Sequence, residues 1–254
     1  MPDRATLHLV KVPLRADRLA AVARQRNLPL AVADDGYVIH CVLRGLWAAR
    51  APSPFVVRTR GRVLEAWGYS SATADELIEH AQAFADPTLA GVIASTGDIA
   101  SREMPTFPRG RRIGFVLRAC PVARLASPRQ GHRAGAEIDV FLARSFAAGA
   151  AVSLSRSEVY SDWLHARLAT AEKTGVTVEQ VRLAGFGRER LVRRTQGTAR
   201  KPHRLERPDV KFEGNLLIED GDRFLQFLSH GIGRHRAFGF GALLVVPPGT
   251  SYPR

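Results

Sequence analysis

The order of strand-like and helix-like patterns constrains the fold of this 254-residue chain more than any single motif does. Strands are predicted where apolar and polar residues alternate, and helices where apolar residues recur with helical spacing. In the first half, the predicted elements are a strand over residues 5–14, a helix capped by Asp34 or Asp35 that runs to about Arg50, two strands around Gly61 within residues 55–70, a helix over residues 73–84 and a strand near residues 98–104. This order is βαββαβ, the ferredoxin-like unit.

The second half of the chain repeats this order of elements without repeating the sequence. The predicted elements are a strand over residues 112–122, a helix over residues 156–171, strands around residues 178–186 and 209–219, a helix over residues 221–230 and a strand over residues 241–247. We therefore predict an α+β fold of two tandem ferredoxin-like domains, residues 1–107 and 108–254, with a glycine-rich loop near the C-terminal end.

The chain is strongly basic, and arginine supplies almost all of the positive charge. Its 37 lysines and arginines exceed its 24 acidic residues, which gives a net charge of +13, and only four of the 37 are lysines. Because arginine binds phosphate through paired hydrogen bonds, this composition predicts a polyanionic partner. The charge is densest in residues 182–208, with eight arginines and Lys201 against two glutamates. We predict a long basic hairpin or loop that faces phosphates, with a solvated charged loop as the alternative.

Cysteine usage and hydropathy bear on compartment and cofactors. Cys41 and Cys120 are the only cysteines and have no CxxC or CxxH spacing, so neither a disulfide framework nor a zinc site is predicted. No apolar run approaches the ~20 residues of a membrane span, and the N-terminus lacks the charged and apolar regions of a signal peptide. We expect a soluble cytoplasmic protein with no cofactor, no bound metal and no membrane contact.

A glycine-rich stretch, "SHGIGRHRAFGFG" at residues 229–241, lies between the last predicted helix and the last predicted strand. Its glycines permit positive φ and close approach of another backbone, and Arg234, His235 and Arg236 supply donors, so the loop can cradle a phosphate chain. It is not a P-loop, because the lysine and hydroxyl of GxxxxGK[ST] are missing. A purely structural turn is the alternative.

A loop of the form G-x-G-(x)n-G-F-G, placed after two ferredoxin-like units in a basic protein, resembles the signature of the RAMP superfamily of CRISPR-associated proteins. Within it the chain resembles the repeat-RNA endoribonucleases, especially the CasE-like branch, or a divergent type IV crRNA-processing relative. The resemblance spans residues 37–245 and is carried by "YVIHCVLRGLW" for the Y-x-x-H helix, "IGFVLRACPV" for the LRANP strand, "VYSDWLHARL" for the second-domain helix and "VKFEGNLLIEDGDRF" for the closing region. Unlike in that branch, about twenty residues separate the first strand from the Y-x-x-H helix.

The predicted helix after Asp35 carries the candidate catalytic residues. At about 100° per residue, Tyr37, His40 and Arg44 share one polar face. The opposite face is apolar and contains Val38, Ile39, Val42, Leu43 and Leu46. This geometry favours a functional His40 over a buried core histidine. Trp47, which borders this region, is predicted to pack rather than to stack on a base.

The resemblance implies a metal-independent endoribonuclease that cleaves CRISPR repeat hairpins and stays bound to the mature crRNA, together with other effector subunits. In such a reaction the RNA 2′-hydroxyl attacks, and His40 would serve as acid or base, Tyr37 would contact the scissile phosphate or its flanking base, and Arg44 would offset developing charge. The predicted RNA contacts are Arg188, Arg190, Arg193, Arg194, Arg200, Lys201, Arg204, Gly231, Gly233, Arg234, His235, Arg236, Gly239 and Gly241.

A non-catalytic crRNA-binding scaffold with the same fold is the alternative function. The shared polar face of Tyr37, His40 and Arg44 favours the enzyme, whereas the twenty-residue insertion before them favours the scaffold. A DNA-binding regulator is disfavoured, because no helix-turn-helix pattern is present.

Overall fold

A computed structural model describes residues 6–26, 35–61, 63–148, 153–194 and 202–251; for Ala171, 192–194 and 202–204 it describes the backbone only. Its first four-stranded sheet has the antiparallel order β2-β3-β1-β4. The elements of this unit are β1 His8–Arg15, α1 Ala16–Gln25, α2 Gly36–Trp47, β2 Phe55–Arg60, β3 Val63–Ser70, α3 Ala74–Phe84, α4 Pro87–Ala90 and β4 Ala100–Glu103.

The second four-stranded sheet has the order β10-β5-β9-β8. When the four strands of each unit are numbered along the chain, both sheets have the order 2-3-1-4. The elements of this unit are β5 Arg112–Ala119, β6 Val122–Arg124, β7 Glu137–Asp139, α5 Val140–Ala148, α6 Arg156–Leu168, α7 Ala171–Thr174, β8 Val176–Arg194, β9 Pro202–Ile218, α8 Gly221–His230 and β10 Leu243–Val246. The prediction of two tandem ferredoxin-like units is confirmed. We keep residues 1–107 and 108–254 as the proposed domain division.

Three parts of the fold differ from the sequence-based expectation. The chain after β1 forms the amphipathic helix α1, which buries Leu19 and Val22, and the second unit gains the small sheet β6-β7 followed by α5. Asp35 occupies the N-cap position of α2, but its side chain makes no capping hydrogen bond and its backbone is already helical. The predicted cap is therefore wrong for Asp35, because capping needs an extended backbone there. Asp34 lies outside the described residues.

The two units share a buried interface. Val56 of the first unit packs with Val116 and Leu244 of the second in one apolar cluster. The Tyr69 hydroxyl, fully buried on β3, donates a hydrogen bond of 2.7 Å to the Leu243 carbonyl on β10. These contacts hold the first unit's helix α2 beside the loop that precedes β10.

The predicted basic segment is a hairpin rather than an open loop. Strand β5 pairs with β9 only as far as Ala119↔Val210, whereas pairing between β8 and β9 continues to Arg194↔Pro202. The end of the hairpin therefore projects past the sheet. Along the projecting strand, Arg188 and Arg190 are exposed on one face, and Leu191 is buried on the other.

Trp47 is fully buried, and its indole N–H donates a 2.8 Å hydrogen bond to the Leu77 carbonyl. The predicted packing role of Trp47 is confirmed. Within the described residues, no helix is long and apolar enough to cross a membrane.

Candidate active site

Helix α2 and the glycine-rich loop form two walls of a cleft of about 790 Å³. The helix contributes Tyr37, His40 and Arg44, and the loop contributes residues 233–238. Cys41 of α2, Arg124 of β6 and Glu137 of β7 complete the lining. The fold thus brings together two motifs that lie about 200 residues apart in the sequence.

The polar face of α2 is oriented as predicted. Val38, Ile39, Val42 and Leu43 are buried in the first unit's core. Tyr37 and His40 are partly exposed, and Arg44 is exposed. His40 is therefore accessible from the cleft and is not a core histidine.

The environment of His40 favours the neutral imidazole. Partial burial lowers the pKa of His40 below its ordinary value of 6.5, and the nearby positive charge of Arg44 lowers that pKa further. A neutral imidazole near pH 7 can accept a proton from a hydroxyl group. The Arg44 guanidinium donates a 2.6 Å hydrogen bond to the Ala48 carbonyl, so it is held at the C-terminal end of α2.

An aromatic contact joins the helix to the loop. The Tyr37 ring stacks on Phe238 with 5.3 Å between ring centroids, and the Tyr37 and His40 centroids are 6.5 Å apart. Phe238 is buried in a cluster with Leu191 of the basic hairpin. Phe238 is a site residue that the sequence reasoning missed, although it stands within the quoted glycine-rich stretch.

The glycine-rich loop is shaped by contacts within the protein. Gly231 and Gly241 have φ of 70° and 85°, and the Ile232 amide donates a 2.9 Å hydrogen bond to the Gly241 carbonyl. A Cβ at Gly241 would lie 2.4 Å from the Ile232 carbonyl oxygen. The Gly241 amide in turn donates to the carbonyl of Arg118, in the Leu-Arg-Ala-Cys-Pro motif, at 2.8 Å. Both motifs therefore build one loop structure.

Burial divides the four glycines of the loop. Gly239 and Gly241 are buried, whereas Gly231 and Gly233 are partly exposed. The two buried glycines lie among protein atoms and shape the loop. RNA contact by Gly231, Gly233, Gly239 and Gly241 stays a prediction.

The side chains of Arg234, His235 and Arg236 in the loop are held by protein acceptors. Arg234 Nη1 lies 3.2 Å from Glu137 Oε2, and His235 Nε2 is hydrogen-bonded to Glu137 Oε1. The Arg236 guanidinium donates to the His230 carbonyl. The hydrogen bond from His235 and the surrounding cations lower the pKa of Glu137, so its carboxyl group is ionised. Glu137 had no local signal in the sequence, because its partners lie almost 100 residues away.

The basic hairpin lies next to this cleft, since its Leu191 packs in one cluster with Phe238. Arg188 is exposed and lies 3.2 Å from Glu206, and Arg190 is exposed on the same face. The base of the hairpin reaches the cleft through Arg207, whose Nε is 3.6 Å from Glu137 Oε1. The other predicted contacts of the hairpin lie outside the described part of the chain. This applies to the side chains of Arg193, Arg194 and Arg204, and to the whole of Arg200 and Lys201. In the parts of the chain described above, no three His, Cys, Asp or Glu residues come together as metal ligands.

The two tandem ferredoxin-like units share a cleft between the Y-x-x-H helix and the C-terminal glycine-rich loop, and this arrangement agrees with the class of CRISPR-associated proteins. The chain belongs to the CRISPR associated protein family, whose family model matches residues 7–247. Among curated proteins, none matches the chain in sequence.

Solved structures support the same fold. A CRISPR endoribonuclease Cse3 bound to a 19-nucleotide RNA superposes with a TM-score of 0.61 at 22% identity, over 95% of this chain and 100% of that chain. Thermus thermophilus Cse3, bound to an RNA representing a pre-cleavage complex, gives 0.53 at 21% identity, over 95% and 100%. A chain of a CRISPR RNA-guided surveillance complex in a pre-nicking state gives 0.54 at 18% identity, over 95% and 99%. At these identities the likeness establishes the fold.

Proposed function

We propose that this protein is a metal-independent endoribonuclease that cleaves CRISPR repeat hairpins to make mature crRNA. The observation that carries the proposal is the shared cleft, in which Tyr37, His40 and Arg44 face the glycine-rich loop. Proteins of the same fold have been solved as endoribonucleases with RNA bound. The geometry of the cleft suits chemistry on a strand that lies between the two units.

The proposed reaction is attack of the RNA 2′-hydroxyl on the adjacent phosphorus. Neutral His40 accepts the 2′-hydroxyl proton as the 2′-oxygen–phosphorus bond forms. The bond from phosphorus to the 5′-oxygen breaks, and that oxygen takes up a proton. Arg44 stabilises the additional negative charge on the phosphate, and Tyr37 contacts the strand beside it. The products are a 2′,3′-cyclic phosphate and a 5′-hydroxyl.

We assign the double-stranded stem of the repeat to the basic hairpin. The deep major groove of A-form RNA hides the base edges, so shape and phosphates are the readable features. Exposed Arg188 and Arg190 lie on one face of β8, where they can contact successive phosphates. Many such contacts would release the product slowly and keep the protein on its crRNA as an effector subunit. A protein of this fold is part of a surveillance complex.

A non-catalytic crRNA-binding scaffold is the second candidate function. One observation favours it: the Arg44 guanidinium is already bound to the Ala48 carbonyl and would have to leave it to reach a phosphate. For both candidates we propose a cytoplasmic location, since Cys41 and Cys120 are both free thiols.

The test is cleavage of an end-labelled repeat hairpin, from the genome that encodes the chain, in excess EDTA. We expect a single cut whose upstream fragment carries a 2′,3′-cyclic phosphate and whose downstream fragment accepts phosphate from polynucleotide kinase. Cleavage that requires added Mg²⁺ would contradict metal independence. Tight binding without any cleavage would establish the scaffold. If the protein neither bound nor cleaved the hairpin, both candidate functions would be overturned.

A further inference from the structure

Glu137 is the only carboxylate that lines the cleft between α2 and the glycine-rich loop within the described residues. It lies on β7, in the small sheet that is an addition to the ferredoxin-like unit. Its side chain is 14% exposed and faces three side chains from two other elements, Arg234 and His235 of the loop and Arg207 of the hairpin. A carboxylate that accepts from several cations fixes their positions as well as their charge.

The loop needs such a fixed point. His235 has a φ of 62°, a left-handed conformation that residues with a side chain adopt only when surrounding contacts hold them there. The hydrogen bond from His235 to Glu137 supplies one such contact on the side-chain end of this residue. On the other end, the Phe238 amide donates a 2.8 Å hydrogen bond to the His235 carbonyl.

A continuous series of contacts leads from Glu137 to the candidate catalytic face. The His235 ring contacts the Phe238 ring edge-on at 5.9 Å between centroids, and Phe238 stacks on Tyr37 at 5.3 Å. Tyr37 precedes His40 by one helical turn on the polar face of α2, with ring centroids 6.5 Å apart. A shift of His235 would therefore displace the aromatic wall against which a strand must lie.

If Glu137 contributed only its negative charge, removing that charge would not impair RNA binding or cleavage. A negative side chain in a cleft that binds phosphates repels the ligand, and it partly neutralises the positive charges of Arg207 and Arg234. Replacing the carboxylate by an amide would then leave RNA binding unchanged or make it tighter. A residue that only contributed charge would give no loss of rate.

We propose that Glu137 is a positioning residue for the cleavage reaction, acting through Arg234 and His235 on the wall formed by Phe238 and Tyr37. This role rests on the proposed endoribonuclease function. Glu137 does not touch the reacting atoms; it keeps the loop in the geometry that His40 requires.

The experiment compares Glu137→Gln, Glu137→Asp and unaltered protein in single-turnover cleavage of the labelled repeat hairpin. The dissociation constant and the rate at saturating protein are measured separately. We expect Glu137→Gln to lose about 10- to 100-fold in saturating rate, as misplacement of a reacting group does, with a dissociation constant that is equal or lower. Glu137→Asp keeps the charge but is one methylene shorter, and we expect an intermediate rate.

The matched control is Glu179→Gln. Glu179 lies on β8 of the same unit with its side chain 26% exposed, binds Arg112 at 2.7 Å and does not line the cleft. The Glu179→Gln substitution removes the same charge as Glu137→Gln, and we expect it to leave the saturating cleavage rate unchanged. Thermal unfolding of each variant shows whether the fold is intact; if Glu137→Gln fails to fold, Glu137→Asp decides.

The outcomes separate the two proposals. Cleavage by Glu137→Gln at the rate of the unaltered protein would overturn the positioning role and leave the endoribonuclease function standing. Weaker binding at an unchanged saturating rate would also overturn it, because Glu137 would then serve RNA affinity alone. Absence of cleavage by the unaltered protein would overturn the proposed function, and the positioning role with it.

Discussion

The two ferredoxin-like units carry hairpins at equivalent positions, and these hairpins differ greatly. In the first unit, β2 and β3 pair from Phe55↔Gly68 to Arg60↔Val63 and are joined by two residues. In the second, β8 and β9 continue well past the sheet and carry most of the arginines of the basic segment, residues 182–208. The topology of the sheet is the same in both. Lengthening one hairpin therefore adds a surface without altering the core beneath it.

The helices differ in the complementary way. The first unit places a histidine on the exposed face of α2, beside the loop of the second unit. The corresponding helix of the second unit, α6, buries Tyr160 and Trp163 against its own core. Under the proposed function, the first unit supplies the reacting group, and the second supplies the RNA-binding surface and the opposite wall of the cleft.

The largest expected effect concerns the loop that joins these roles. Gly241→Ala should lower the free energy of unfolding by more than 2 kcal/mol, since a left-handed alanine costs about 1–2 kcal/mol and the added Cβ would also collide with the Ile232 carbonyl. The control is Gly61→Ala at the first unit's hairpin turn, where φ is 61° but no atom lies within 4 Å of the added Cβ. Urea unfolding measures both. Equal losses for the two variants would contradict the close packing inferred for the loop.

An intermediate effect is expected for the hairpins. The double variant Arg188→Ala/Arg190→Ala should raise the dissociation constant for repeat RNA about tenfold, because each exposed contact contributes about 0.5–1 kcal/mol. The negative slope of log affinity against log salt should become shallower by about 1.5. The matched double variant Arg58→Ala/Arg60→Ala removes the same charge from the first unit's hairpin, where Arg60 is 84% exposed. A similar loss from both pairs would indicate general attraction rather than a binding surface.

The smallest effect concerns pH. His40 can accept a proton only when neutral, so the rate should fall as pH drops through the pKa of His40. Burial and Arg44 lower that pKa, so the midpoint measured with subsaturating protein should lie below 6.5. Arg44→Gln should move the midpoint upward, although it also slows the reaction. A midpoint above 6.5 in the unaltered protein would contradict a neutral His40.

Local patterns predicted most of the fold. Alternation along β1 and helical spacing along α2 are properties of short segments, and both elements formed where expected. The face of α2 that carries His40 was likewise predictable, since the angle per residue determines it. The resemblance to RAMP proteins gave this face and the glycine-rich loop separate roles in RNA cleavage, and only the structure brings them to one cleft.

The parts that sequence reasoning missed depend on distant contacts. Glu137 is one carboxylate in an unremarkable stretch, and only the fold brings it to Arg234 and His235. The stacking of Phe238 on Tyr37 has the same origin. The predicted cap at Asp35 failed because the residue type alone does not determine the backbone conformation that a cap needs.

The central claim is that the first unit performs the chemistry and the second unit binds the RNA. The most direct test is one titration series of single-turnover cleavage in EDTA with the unaltered protein, His40→Ala, and Arg188→Ala/Arg190→Ala. We predict that His40→Ala lowers the saturating rate by about 10²-fold or more at an unchanged dissociation constant. The arginine variant should raise the dissociation constant at an unchanged saturating rate. Equal saturating rates for His40→Ala and the unaltered protein would contradict the claim. So would a change in the same measured quantity, either the saturating rate or the dissociation constant, in both variants.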